Sequence, residues 1–217
     1  NTVIIYPNVF NDHPEHFGLI QILVAYAVVI STFSSLGIPN TFIRFFPAIK
    51  QKGQLYFFSL ITSLFGFVIM SVCYLFFKDE ILHLIQPSDL LRENFYYIIL
   101  LVFFISFYDV FTAISRSLLS AVIPVFINEV FLKLYSLIVL LLYWFDYFDF
   151  TSFLLIYFAG YLFKLLILFL IQKFDKRLTI SFSFSDLNLK KMLSFGTYVL
   201  LSGASMIIVT RLDIMMI

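Results

Sequence analysis

The chain has 217 residues, 62% of them hydrophobic and only 12% charged, whereas an ordinary soluble domain carries about 25% charged residues. That composition excludes a soluble globular domain and leaves a membrane protein. The formal charge of +1 excludes any argument about partners from total charge, and the single cysteine, Cys73, excludes a disulfide framework or a thiolate metal cluster.

The first residues, "NTVIIYP" (Asn1 to Pro7), read as the exit of an apolar segment without its beginning. There is no initiator Met, basic n-region or cleavage site. The last residues, "IIVTRLDIMMI", stop inside another apolar stretch, so the expectation is a fragment of a longer protein. The stretch "NDHPEHFG" holds His13, Glu15 and His16, which superficially suggest a metal site. Pro14 and Gly18 predict a turn there and not a helical HExxH, so no metal is expected.

A spanning helix needs about 20 mostly apolar residues. Apolar runs of that length lie at 17–38, 55–77, 95–115, 122–145, 150–171 and 195–217, which predicts six helices plus the exit of an earlier one. Strands of a barrel would be shorter and would alternate apolar with polar residues. The chain is expected to be an all-α polytopic membrane protein.

The breaks between runs sort by charge. Arg44, Lys50 and Lys52 fall in the first, Arg116 in the third, and Lys173, Lys176, Arg177, Lys190 and Lys191 in the fifth. The alternate breaks carry Asp12 and Glu15, then Asp79, Glu80, Asp89 and Glu93 against Lys78 and Arg92, then Asp146 and Asp149. Short cytoplasmic loops collect Lys and Arg, so the odd breaks are expected inside. The rings of Tyr143, Trp144, Phe145, Tyr147 and Phe148 crowd one outer turn, as interfacial anchors do. "SFSFSDLNLKKML" predicts a polar link, then Ser185 or Asp186 capping a short helix that lays Leu187, Leu189, Met192 and Leu193 on the inner surface.

Charges at membrane depth are costly and ask for a partner or an aqueous cavity. Glu129 and Lys133 stand at i,i+4 with the acid first, the favourable order on a helix; they are either a self-neutralising pair or a cavity pair that opens when an anion competes for Lys133. Lys164 either snorkels to the interface or faces a cavity. Asp109 is either a coupling carboxylate or a hydrogen-bonded helix contact. Arg211 and Asp213 flank Leu212 and point about 200° apart around a helix, so they do not pair with each other. Gly196, Ser202, Gly203, Ala204 and Ser205 make that last helix small-sided, suited to close packing or to bending in a gating helix.

"LDIMMI" (Leu212 to Ile217) resembles "NTVIIYP", which would make one repeat of six helices. The segments "FGLIQILVAYA" (Phe17 to Ala27), "SSLGIPNTFIRFFP" (Ser34 to Pro47) and "LSFGTYVLLSGASMIIVTRLDIMMI" (Leu193 to Ile217) resemble the polysaccharide transporter branch of the multidrug/oligosaccharidyl-lipid/polysaccharide exporter superfamily. The resemblance implies two six-helix bundles around a central cavity that alternates between inward-open and outward-open. This chain would supply the N-terminal bundle (1–177, its first helix mostly missing), a cytoplasmic linker with a short interfacial helix (178–193) and the first helix of the second bundle (194–217).

The implied activity is translocation of undecaprenyl-pyrophosphate-linked oligosaccharide across a bacterial inner membrane for O-antigen or capsule synthesis. Implied partners are that lipid-linked substrate, membrane lipids and polysaccharide assembly proteins, with no nucleic acid and no cofactor. Candidate headgroup-binding residues are Arg44, Lys133, Lys164 and Arg211; candidate coupling or gating residues are Asp109, Glu129 and Asp213.

Arg44 is expected just inside the cytoplasmic mouth, where a guanidinium fork suits bidentate phosphate contact and Phe42, Phe45 and Phe46 embed around it. Ordinary positive-inside placement is the competing account. A drug or metabolite exporter coupled to H⁺ or Na⁺ is the alternative function, and a membrane glycosyltransferase is disfavoured by the short outer loops. No phosphate-cradling Gly-rich loop or nucleophile elbow occurs, and no enzymatic role is expected.

Overall fold

The structure, a computed structural model, describes residues 9–10, 14–78, 80, 88–175, 181–182, 184 and 187–215, side chains at 204 and 207–215 excepted. Among them only helices form: α1 (Pro14–Ser34), α2 (Ile38–Phe45), α3 (Lys52–Phe76), a short α4 (Asp89–Glu93), α5 (Tyr97–Ser117), α6 (Val122–Trp144), α7 (Phe150–Lys173) and α8 (Leu189–Met215). Five of them, α1, α3, α5, α6 and α7, are long and apolar enough to cross a membrane. This is the architecture of a multi-pass membrane protein, and each of these helices covers one of the first five apolar runs.

The side chains sort as a lipid solvent requires. On α3 the outward stripe is Ile61, Leu64, Phe65, Val68, Val72 and Leu75, whereas Ser59, Ser63 and Gly66 are turned inward. Large apolar groups face out because hydrocarbon does not penalise them, and small groups face in because they let helices approach. Some inward hydroxyls are satisfied locally: Ser59 donates to the Leu55 carbonyl at 2.8 Å and Ser31 to the Val28 carbonyl at 2.8 Å. Cys73 is exposed on the same kind of outward surface.

Helix α5 is the axis of the bundle. It packs against α1, α2, α3 and α7, and 67% of its most apolar window is buried, against 17% for α6. Gln172 near the end of α7 donates from Nε2 to the Phe111 carbonyl at 2.5 Å and to Ser115 Oγ at 2.9 Å near the end of α5. At the opposite end, the Tyr74 hydroxyl of α3 donates to the Phe95 carbonyl at 2.8 Å, ahead of α5. Helix α6 leans mainly on α7 and reaches α5 only through its first residues. A gap therefore opens between α6 and α5.

Several local expectations are corrected. Residues 14–18 are the first turn of α1 and not a turn between elements, because Pro at the first helical position lacks only an N–H that would go unpaired there. His16 lies on the Phe150 ring, centroids 3.6 Å apart; His13 lies outside the described residues. The apolar run 17–38 is broken within its length: Leu36 (φ 50°) and Gly37 (φ 68°) are both left-handed, and α2 starts afresh at Ile38 with Pro39 in its first turn. Gly66, about 20 Å along α3 from its start, touches the Ser34 carbonyl. The break thus lies inside the bundle and not at its edge.

Among the described residues no separate surface helix precedes the last run. One continuous helix starts at Leu189, with Asn188 Oδ1 accepting from the Lys191 N–H at 3.1 Å as its cap. Met192 and Leu187 are buried, while Leu189 and Leu193 are exposed. Ser185 and Asp186, proposed as caps from sequence, lie outside the described residues, as do Asn1 to Pro7, Met216 and Ile217 of the suggested repeat.

Candidate functional site: a charged cavity between α1, α5, α6 and α7

The gap beside α6 is a cavity of about 800 Å³. Its walls are Gln21, Val24 and Val28 of α1, the α5 stripe Ile105, Asp109, Thr112 and Arg116, the first two-thirds of α6, and Tyr157, Tyr161 and Lys164 of α7. Four of the seven candidate residues converge on it: Asp109, Glu129, Lys133 and Lys164.

Lys164 does not snorkel to the interface. It is 5% exposed, and its amine donates to Asn128 Oδ1 at 3.2 Å while standing over the Tyr108 ring (4.4 Å to the centroid) and the Tyr161 ring (4.7 Å). Stacked aromatic faces stabilise a desolvated ammonium. Tyr108 is itself anchored, its hydroxyl donating to the Pro124 carbonyl at 2.6 Å.

Asn128 passes the contact on. Its Nδ2 donates to Glu129 Oε1 at 3.0 Å, and Lys133 Nζ donates to Glu129 Oε2 at 2.5 Å. A chain of hydrogen bonds thus runs Lys164, Asn128, Glu129, Lys133 from α7 to α6. Asn128 and Glu129 sit in a π-turn, Ile127–Phe131, where the Leu132 N–H reaches the Ile127 carbonyl. The i→i+5 bond widens the helix by one residue, a feature frequent at functional sites. The Glu129–Lys133 pair expected from an α-helical spacing forms here on the shoulder of that turn, both side chains more than half exposed at 51% and 64%.

Of the two readings of Asp109, the hydrogen-bonded helix contact does not form among the described residues. Its neighbours Tyr108, Val110 and Phe111 are buried, but its own side chain opens on the cavity. Its carboxylate makes no hydrogen bond or ion pair within 4 Å to any described residue, and the same is true of the Arg116 side chain. Lys164 and Arg116 are cations that line the same cavity.

Arg116 was missed as a site residue because its place at the end of an apolar run reads as a loop charge. The signal was present in the spacing: Asp109, Thr112 and Arg116 stand at i, i+3 and i+7, one face of a helix.

Arg44 is elsewhere. It is exposed at the end of α2 with its guanidinium over the Phe195 ring of α8, 4.4 Å from the centroid, and it does not line the cavity. Phe42 and Phe46 are buried in the helix core and do not embed in an interface around it; Phe45 is half-buried and meets Phe195 edge-on at 5.9 Å. Arg211 and Asp213 belong to α8, but their side chains lie outside the described set. Of the small residues in α8, Gly196 lies against the Leu36 carbonyl and Thr41 Oγ1, whereas Gly203 has nothing nearby and Ser202 and Ser205 are exposed. The small-sided surface is thus a packing contact at one end and open at the other.

No protein-family model, curated protein or solved structure matches the chain. The functional reading therefore rests on the cavity and on the resemblance of its segments.

Proposed function

We propose that this chain belongs to a two-bundle alternating-access exporter of the polysaccharide transporter type and forms most of its N-terminal bundle. Its cargo is a lipid-linked oligosaccharide whose (pyro)phosphate headgroup enters the cavity beside α6 while the lipid tail stays in the bilayer. The observation that carries the reading is a large cavity in a helical membrane protein that gathers Arg116, Lys133 and Lys164 on three different helices. Lys133 and Lys164 lie within their spans, where cations mark the path of an anion, Arg116 stands at the end of α5, and a cavity this size admits a headgroup with a sugar attached. The basic end of the bundle, where α5 and α7 finish, is the cytoplasmic end by the positive-inside rule, so the bacterial inner membrane is the proposed location.

The test uses the full-length protein in proteoliposomes and follows whether an undecaprenyl-pyrophosphate-linked oligosaccharide becomes accessible to an impermeant glycan-cleaving enzyme. Protein-dependent exposure that is lost in Lys164→Met combined with Arg116→Gln supports the reading. Absence of exposure across several glycans overturns it. The second reading, a cation-coupled exporter of drugs or metabolites, is favoured by one observation, the unpaired carboxylate of Asp109 in the cavity; transport of a small cation in the same vesicles would select it.

A further inference from the structure

The cavity is not uniformly cationic. Glu129 is engaged by Lys133 and Asn128, so its charge is already met within α6. Asp109 is different: it points into the same space and no described residue donates a hydrogen bond to it. Open on the cavity, an ionised carboxylate is met by water, and a ligand that displaces that water must itself supply donors or a countercharge. Lys164 lines the same cavity, but its amine is directed to Asn128 and held between two tyrosine rings. Arg116 is two helical turns away on the same face, about 10 Å along the axis.

A site built only for phosphate has no use for an open carboxylate, which repels the ligand at every distance. A site that reads a ligand with an anion at one end and a donor at the other needs this arrangement. From this geometry we propose that Asp109 is a specificity-determining residue that receives an amino group on the cargo's first sugar, while Arg116 and Lys164 hold the attached phosphate. The inference rests on the anionic-headgroup reading above and narrows its substrate class to amino sugars linked through phosphate. The separation is of the right size: about 10 Å along the helix takes in a salt bridge at each end, about 3 Å apiece, with the vicinal amino and phosphate groups of a 2-amino sugar 1-phosphate between them. Tyr157 and Tyr161, on the facing wall, offer apolar ring faces against which the sugar packs.

The chemistry commits to an ammonium and not a hydroxyl. A hydroxyl would donate one hydrogen bond and leave the carboxylate's charge uncompensated, whereas an ammonium supplies up to three donors and neutralises it. N-acetylation removes that charge, so acetylated sugars are expected to lose the benefit.

The test measures binding of soluble probes to the full-length protein in lipid nanodiscs by calorimetry: glucosamine 1-phosphate, N-acetylglucosamine 1-phosphate, glucose 1-phosphate and inorganic pyrophosphate. Wild type is expected to bind glucosamine 1-phosphate about tenfold more tightly than glucose 1-phosphate, as a charge-assisted hydrogen bond provides. Asp109→Asn is expected to reduce that ratio to near one, and Asp109→Glu to restore part of it. Equal binding of the sugar phosphates by wild type, or a preference that survives Asp109→Asn, overturns the role of Asp109 and leaves the anion reading standing. Failure of wild type to bind any of the four probes removes the anion reading together with it. The first comparison needs no variant, so a poorly folding substitution does not remove the test.

Discussion

The hydroxyl of Tyr135 in α6 donates to the main-chain carbonyl of Ile156 in α7 at 2.6 Å, one turn before Gly160, whose missing side chain leaves the space that the Tyr135 ring occupies. A Cβ built on Gly160 would stand 2.6 Å from that ring. This contact sets the spacing of α6 and α7, and with it one wall of the cavity. Tyr135→Phe should cost about 1 kcal/mol, the net value of one hydrogen bond. Gly160→Ala should cost about 1–3 kcal/mol through overpacking. Thermal unfolding in detergent, compared with wild type, checks both; an unchanged midpoint in Gly160→Ala would show that the helices are not held this close.

The break between α1 and α2 makes a second tight junction. Gly37 is left-handed, and a Cβ there would collide with the Gly196 carbonyl of α8. Gly37→Ala combines a backbone penalty of about 1–2 kcal/mol with a clash against backbone that cannot rotate away. It should therefore be the more damaging of the pair Gly37→Ala and Gly196→Ala, read as loss of folded protein on extraction and a lowered unfolding midpoint.

Water access separates the cavity from the outer surface. In a Cys73→Ser background, Asp109→Cys and Arg116→Cys should react with a hydrophilic thiol reagent. Native Cys73, exposed on a span with apolar neighbours, should react only with a membrane-permeant one. The reverse pattern would mean that the space beside α6 is filled by lipid.

The Glu129–Lys133 pair predicts opposite effects of its two halves. Glu129→Gln leaves Lys133 without its counter-ion and raises the positive potential of the cavity, so inorganic pyrophosphate should bind several-fold more tightly. Lys133→Met should weaken it by a similar factor. Titration calorimetry at low and high salt reads both, and the difference should shrink as salt rises.

Arg44 tests two accounts of one arginine. As a contact to Phe195 it contributes about 0.5–1 kcal/mol, so Arg44→Ala and Phe195→Leu should lower stability slightly and to a similar extent, while Arg44→Lys keeps the cation over the ring. As a bidentate phosphate ligand it would tolerate neither substitution. Normal transport by Arg44→Lys and Arg44→Ala together would leave the headgroup role without support.

How far the sequence reached varied from residue to residue. The first five apolar runs reappear as helices because hydropathy is a local property summed over about 20 residues. Lys164 was visible as a charge inside a run with Tyr161 one turn before it, but its enclosure also depends on Tyr108 and Asn128, 56 and 36 positions away, which no window contains. Arg116 was legible only as half of a helical stripe with Asp109, and the stripe has meaning only once α6 stands away from α5.

By itself the sequence determined that this is a helical protein of the bilayer, where the spans lie and which ends carry the basic charge, because each follows from residue type along one stretch of chain. Only the tertiary structure decided which charges meet. The rotation of each helix about its axis is set by close contacts such as Tyr135 over Gly160 and Gly37 against Gly196, and by the π-turn at Ile127–Phe131. Those contacts, made between distant segments, turn Asp109, Arg116, Lys133 and Lys164 into one cavity and leave Arg44 outside it.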